Sequence, residues 1–164
     1  MMAKKIIILI IVLLLLFLTG CSQPTNLPKQ APPGSYEILR KAQIASEWQM
    51  YQLKIKVAAG SELPIVLKLA SGDTVDGYFY VEEGSDLDFQ ITGKSLIYKP
   101  TGATGSGSVA SDRFSFVVSQ AQGSTYTLTF RNTADASARQ TKTVAFVELI
   151  FPATGSIFSP LEAK

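Results

Sequence analysis

The stretch Met50-Tyr51-Gln52-Leu53-Lys54-Ile55-Lys56-Val57 decides the fold class, because from Tyr51 it alternates apolar and polar residues without a break. An extended chain sends successive side chains to opposite faces, so Tyr51, Leu53, Ile55 and Val57 share one face and Gln52, Lys54 and Lys56 the other. That pattern predicts a β-strand with one face in a core and one in water. Ala58-Ala59-Gly60-Ser61 reads as a turn, and the alternation resumes through Leu63, Ile65, Leu67 and Leu69. Pro64 lacks an N–H for the ladder and is expected only near the start of that second strand.

Downstream the same grammar repeats. Ser71-Gly72-Asp73 and Glu83-Gly84-Ser85 are turns that bracket a strand from Thr74 to Val81. Asp86 to Thr92 and Ser95 to Lys99 read as hairpin arms around Thr92-Gly93-Lys94, and residues 100–112 (PTGATGSGSVASD) as a mobile loop. Strands follow at Arg113 to Ser119, Thr125 to Arg131 and Thr141 to Phe151. The spacing of about 8 to 12 residues between turn signals is the rhythm of an antiparallel β-sandwich, so the expected class is all-β. Residues 144–151 are apolar on both faces apart from Glu148, which predicts a central strand or one covered by the tail. Upstream, residues 36–49 are ambiguous. Ile38, Leu39, Ala42, Ala45 and Trp48 fall near helical spacing after Ser35, a possible N-cap, yet an irregular edge strand fits as well.

The N-terminus is of another kind. Lys4 and Lys5 precede an apolar run from Ile6 to Leu18, which ends in Leu18-Thr19-Gly20-Cys21. Those 13 residues would make a helix of about 20 Å, whereas a bilayer core takes about 20 apolar residues. A charged start, a short apolar middle and small residues before a cut fit a targeting segment. The competing reading is an uncleaved anchor helix with Cys21 incidental to its flank. Leu18, Thr19, Gly20 and Cys21 resemble the lipobox of bacterial lipoproteins. The resemblance implies that Cys21 receives a diacylglycerol thioether and becomes the mature N-terminus, leaving residues 1–20 as signal peptide. Residues 21–35, with Pro24, Pro28, Pro32, Pro33 and Gly34, are expected to be a tether reaching up to about 40 Å; the alternative is a loop packed on the domain. The domain is then expected over residues 36–152, followed by a tail at 153–164. The anchor implies a cell-membrane or outer-membrane location on the extracytoplasmic side. Ser22 is not the aspartate that retains some lipoproteins at an inner membrane, which points to the outer membrane in a two-membrane cell.

Composition removes whole classes of function. The chain carries 15 Lys and Arg against 13 Asp and Glu, and Lys4 and Lys5 account for the difference. No cationic field remains to draw the exported portion to nucleic acid. It has no histidine, so Ser-His-Asp and Cys-His nucleophiles and His-ligated metals are excluded. With Cys21 the one cysteine, an intrachain disulfide is impossible and the fold must rest on core packing.

Gly72-Asp73-Thr74-Val75-Asp76-Gly77-Tyr78-Phe79-Tyr80-Val81 and Gly84-Ser85-Asp86-Leu87-Asp88-Phe89-Gln90-Ile91 form a recognisable phrase. Gly123-Ser124-Thr125-Tyr126-Thr127-Leu128-Thr129-Phe130-Arg131-Asn132 and Lys142-Thr143-Val144-Ala145-Phe146 continue it. Together they resemble the GOLD (Golgi dynamics) domain, which implies a GOLD-like or jelly-roll-like sandwich over Ala59 to Phe151 and an interaction role without catalysis. The cysteine pair of the cargo-receptor members is missing, so the fold carries over without the trafficking role. Bacterial pre-peptidase C-terminal domains share the Gly-Asp turn, the Asp-Leu-Asp-aromatic phrase and the Gly-x-Thr-Tyr-Thr-Leu strand, a second resemblance. Within the phrase, Gly72 and Gly77 are expected to permit turns, and Asn132 to close one.

Three constellations bear on chemistry. Asp73, Asp76, Glu82, Glu83, Asp86 and Asp88 place six carboxylates in 16 residues. Calcium would take such oxygens, but no EF-hand spacing is present and solvated turns explain them, so no cofactor is expected. A glycosidase pair from the same cluster would require a cleft. Tyr78 and Tyr80 share a strand face as half-buried sandwich residues or as an exposed contact stripe, and Trp48 reads as core. Gly102 to Gly107 lacks the Lys-Ser/Thr ending of a phosphate loop. The expectation is an anchored, non-enzymatic lipoprotein with no metal site, whose sandwich binds an envelope protein. The alternative is a glycan- or cell-wall-binding module, favoured if Tyr78 and Tyr80 are exposed.

Overall fold

The computed structural model describes residues 34–101, 108–133 and 142–158. The lipobox at Leu18 to Cys21, residues 22–33 of the expected tether, Gly102 to Gly107 of the loop and residues 159–164 of the expected tail lie outside the described residues. Among the described residues eleven strands run in chain order: β1 (Ser35–Ala45), β2 (Trp48–Ala58), β3 (Glu62–Lys68), β4 (Thr74–Glu83), β5 (Leu87–Thr92), β6 (Leu96–Tyr98), β7 (Ser108–Val109), β8 (Ser111–Val117), β9 (Thr125–Arg131), β10 (Lys142–Pro152) and β11 (Ser156–Phe158). A 3-10 turn, Gln120–Gln122, joins β8 to β9.

The strands form two sheets in which every pairing is antiparallel. One sheet has the order β1-β2-β10-β4-β8; the other has β11-β3-β9-β5-β6, with β7 also on β5. The sheets close face to face as a β-sandwich, since the inward residues of both build one core. From β2 that face takes Tyr51, Leu53, Ile55 and Val57, from β3 Leu63, Ile65 and Leu67, and from β10 Ala145, Val147, Leu149 and Phe151. Period-two alternation in the sequence therefore becomes the two inner faces. Pro64 is the third residue of β3, where β11 does not reach, because β11 pairs only with Val66 to Lys68. Its missing N–H therefore leaves no gap in a ladder.

Rings bind the layers. Phe79 of β4 meets Phe89 of β5 at 5.0 Å and Phe130 of β9 at 5.2 Å, both edge-on, the arrangement that aromatic quadrupoles favour. Phe89 also packs on Phe114 of β8 at 5.0 Å. Gly77 serves this packing and is not the turn residue expected. It lies inside β4, and a Cβ there would strike the Phe114 ring. Gly72 does sit in a turn, at φ +91°. Asn132 is buried and ties the end of β9 to the β2–β3 turn: its Nδ2 donates to Val57 O at 3.1 Å, and its backbone pairs with Gly60 and Ser61.

The ambiguous segment 36–49 resolves as an edge strand, a turn at Ser46-Glu47 and the first two residues of β2. β1 pairs with β2 through two register shifts, at Ile38/Arg40 and Gln43/Ala45, each inserting one residue. β10 occupies the central place expected of it, between β2 and β4. The sandwich continues past the expected limit at residue 152, because Ser156–Phe158 adds a short edge strand to β3.

Candidate interaction surface

The outer face of the β1-containing sheet carries the chemistry. Even-numbered residues of β2 and β4, odd-numbered residues of β8 and Phe146, Glu148 and Ile150 of β10 point away from the core, and the register sets them in rows. Met50, Ile150, Asp76 and Ser115 make one row. Gln52, Glu148, Tyr78 and Arg113 make the next, followed by Lys54, Phe146, Tyr80 and Ser111.

An aromatic cluster lies in the middle. Tyr78 and Tyr80 are 6.5 Å apart with rings 13° from parallel. Phe146 stands 5.3 Å from Tyr80 and 5.9 Å from Tyr78. On the other side of Tyr78, the Arg113 guanidinium carbon is 5.9 Å from the ring centroid, within cation–π reach. Since β8 and β10 flank β4 on opposite sides, Tyr78 is held between a cation and a phenyl ring. Tyr80 is 41% exposed and Tyr78 half-buried. Partial burial, then the nearby Glu148 carboxylate, raises the Tyr78 phenol above its ordinary pKa.

Polar groups rim the rings. Gln52 Nε2 donates to Glu148 Oε2 at 2.7 Å, and Lys54 Nζ pairs with Glu82 Oε2 at 3.0 Å. The Glu82 hydrogen bond and charge raise the Lys54 pKa. Beside the cluster is a concavity of about 340 Å³ whose walls include Asp76, Tyr78, Arg113, Ser115, Glu148 and Ile150. A second, of about 400 Å³, lies at one end of the sandwich and is lined by Trp48, Glu47, Asp73 and Pro152. Trp48 is thus half-buried at a rim rather than in the core where it was expected.

The six clustered carboxylates go separate ways. Asp73 Oδ2 accepts from Ala70 N at 2.7 Å and closes a turn. Asp76 faces the concavity, Glu82 pairs with Lys54, and Glu83 and Asp86 are exposed. Asp88 Oδ1 lies 3.2 Å from Lys99 Nζ, an ion pair whose geometry falls short of a hydrogen bond. Among the described residues no three acidic or sulfur side chains gather to hold a metal ion, and no helix is long and apolar enough to cross a membrane.

Sequence reasoning found Tyr78 and Tyr80 and missed Phe146, Arg113 and the Gln52–Glu148 pair. Their signal exists only in the cross-strand register. Glu148, the lone polar residue in an apolar run, was the available clue. No protein-family model matches the sequence, and no curated protein matches it either.

Proposed function

We propose that the chain is an exported lipoprotein, anchored by a diacylated Cys21, whose GOLD-like, jelly-roll-like sandwich is a non-catalytic protein-interaction module of the cell envelope. The reading draws on the strand order: from β2 to β5 and from β7 to β11 each connection passes from one sheet to the other, the winding of a double-sheet jelly roll. The carrying observation is the aromatic cluster in which exposed Tyr80 packs with half-buried Tyr78 and Phe146, with Arg113 on its rim. Aromatic residues and arginine dominate the energetic centres of protein interfaces, where a polar rim excludes water. Asp76 and Glu148 share the concavity, but one is exposed and the other accepts from an amide. Neither sits in the apolar pocket that makes a carboxyl a general acid, so no reaction is assigned.

The test is a photocrosslinking residue at position 80 in intact cells, with a second probe at Glu83 as control. One recurrent protein, crosslinked from position 80 and lost in Arg113→Glu, supports the module. The glycan alternative draws on the exposure of Tyr80 beside a concavity that carries Asp76, Arg113 and Glu148 among apolar walls. It gains if position 80 captures wall polymer instead, released by free sugar.

A further inference from the structure

We propose that the flank of the sandwich formed by β1 and β11 seats on the headgroups of an anionic bilayer; the proposal rests on the reading that Cys21 carries the lipid anchor. The two sheets run in the same lateral order, since Phe79 of β4 meets Phe89 of β5 and Phe114 of β8 meets Tyr98 of β6. β1 and β11 therefore close the same flank. Seven large hydrophobic side chains are exposed among the described residues, and four are on it: Ile38, Leu39 and Ile44 of β1, each about half exposed, and Phe158 of β11. Leu39 and Ile44 are the inserted residues of the two bulges, which turn their side chains out of the pleat.

The bulges also select the occupant. A strand partner, whether a peptide or a second copy, needs a regular comb of N–H and C=O groups along the edge, and bulges together with Arg40 and Lys41 disrupt it. A headgroup layer makes no such demand. It rewards apolar side chains among cations, and the flank supplies Arg40, Lys41, Lys56 and Lys68 against Glu37, Glu47 and Glu62, the last of which is engaged by Arg131. Lys68 Nζ stands 4.7 Å over the Phe158 ring, so cation and apolar group are presented together. Each such cation is drawn toward the negative surface potential of an anionic leaflet. The connection to Cys21 enters at Ser35, the first residue of β1, and the 13 residues between them would reach about 40 Å as a polyproline-type chain. A tether of that length holds the flank at a high effective concentration beside the bilayer.

The test uses the full lipoprotein in vesicles of phosphatidylethanolamine and phosphatidylglycerol. With the Cys21 thiol consumed by lipid, Leu39→Cys and Val117→Cys each accept a dye; Val117 is exposed on β8, on the opposite flank. Spin-labelled headgroups are expected to quench the dye at Leu39 several-fold more than at Val117. The difference is expected to collapse when phosphatidylcholine replaces phosphatidylglycerol, and in Arg40→Glu/Lys41→Glu. Equal quenching at the two sites in protein that floats with the vesicles overturns the proposal and leaves the anchor standing. Energy transfer between copies that ignores lipid composition overturns it in favour of a second copy. Protein that carries no lipid by mass spectrometry and does not float removes the anchor, and the proposal with it.

Discussion

Gly77 and Tyr98 illustrate two ways in which one residue governs this sandwich. A methyl group on Gly77 would enter the Phe114 ring and crowd Glu148 O. Gly77→Ala is therefore expected to destabilise the fold by about 1–3 kcal/mol, read by urea unfolding. Tyr98 donates to Asp112 Oδ2 at 2.8 Å, and burial, then that carboxylate, pushes its phenol up to about 12. An unfolded tyrosine titrates near 10. The folded state thus holds the proton more tightly; the contribution is complete below about pH 10 and is lost as pH rises toward 12. Tyr98→Phe should lose about 1.5 kcal/mol at neutral pH and show a shallower decline above pH 10, both measurable by denaturant titration across pH. By contrast the Arg131–Glu62 pair is 2.8 Å long but about half exposed at both ends. Glu62→Gln is expected to change stability by less than about 1 kcal/mol.

At the scale of elements, β10 and β1 stand at opposite ends of order. β10 is paired on both sides and buries Ala145, Val147, Leu149 and Phe151, while β1 is paired on one side and mostly exposed. Native-state hydrogen exchange is expected to show β10 amides opening only with global unfolding and β1 amides opening locally, at least tenfold faster. The same contrast explains what the sequence disclosed. β2, β3 and β9 were legible because Leu53-Lys54-Ile55 and its counterparts alternate strictly on a half-buried sheet. β1 was not, because each bulge adds a residue and shifts the alternation, leaving Ile38, Leu39 and Ala42 at a spacing that mimics a helix. β11 has three residues, too few for any period. The candidate surface was half legible: Tyr78 and Tyr80 follow from one strand, whereas Phe146 and Arg113 join them only through a register that local sequence does not encode.

For the whole molecule, the outer face can be altered without touching the core, because the sheet has separate faces. Tyr80→Ser is expected to leave stability within about 0.5–1 kcal/mol of the native chain while abolishing capture from a probe moved to the neighbouring Ser111, with circular dichroism as the check on folding. Phe89→Ala, in the ring cluster shared by the sheets, should do the reverse at about 3–5 kcal/mol. The pairing of β2 with β10 carries one more consequence. Gln52 and Glu148 touch across 96 positions of chain, and β2 has no partner in its sheet besides β1 and β10. A chain that emerges N-terminus first, from a ribosome or through a translocation pore, can close neither the β2–β10 ladder nor the core beneath it until its last long strand has arrived. The topology thus leaves the sandwich open until nearly all of its strands are available, whatever the route by which the chain emerges.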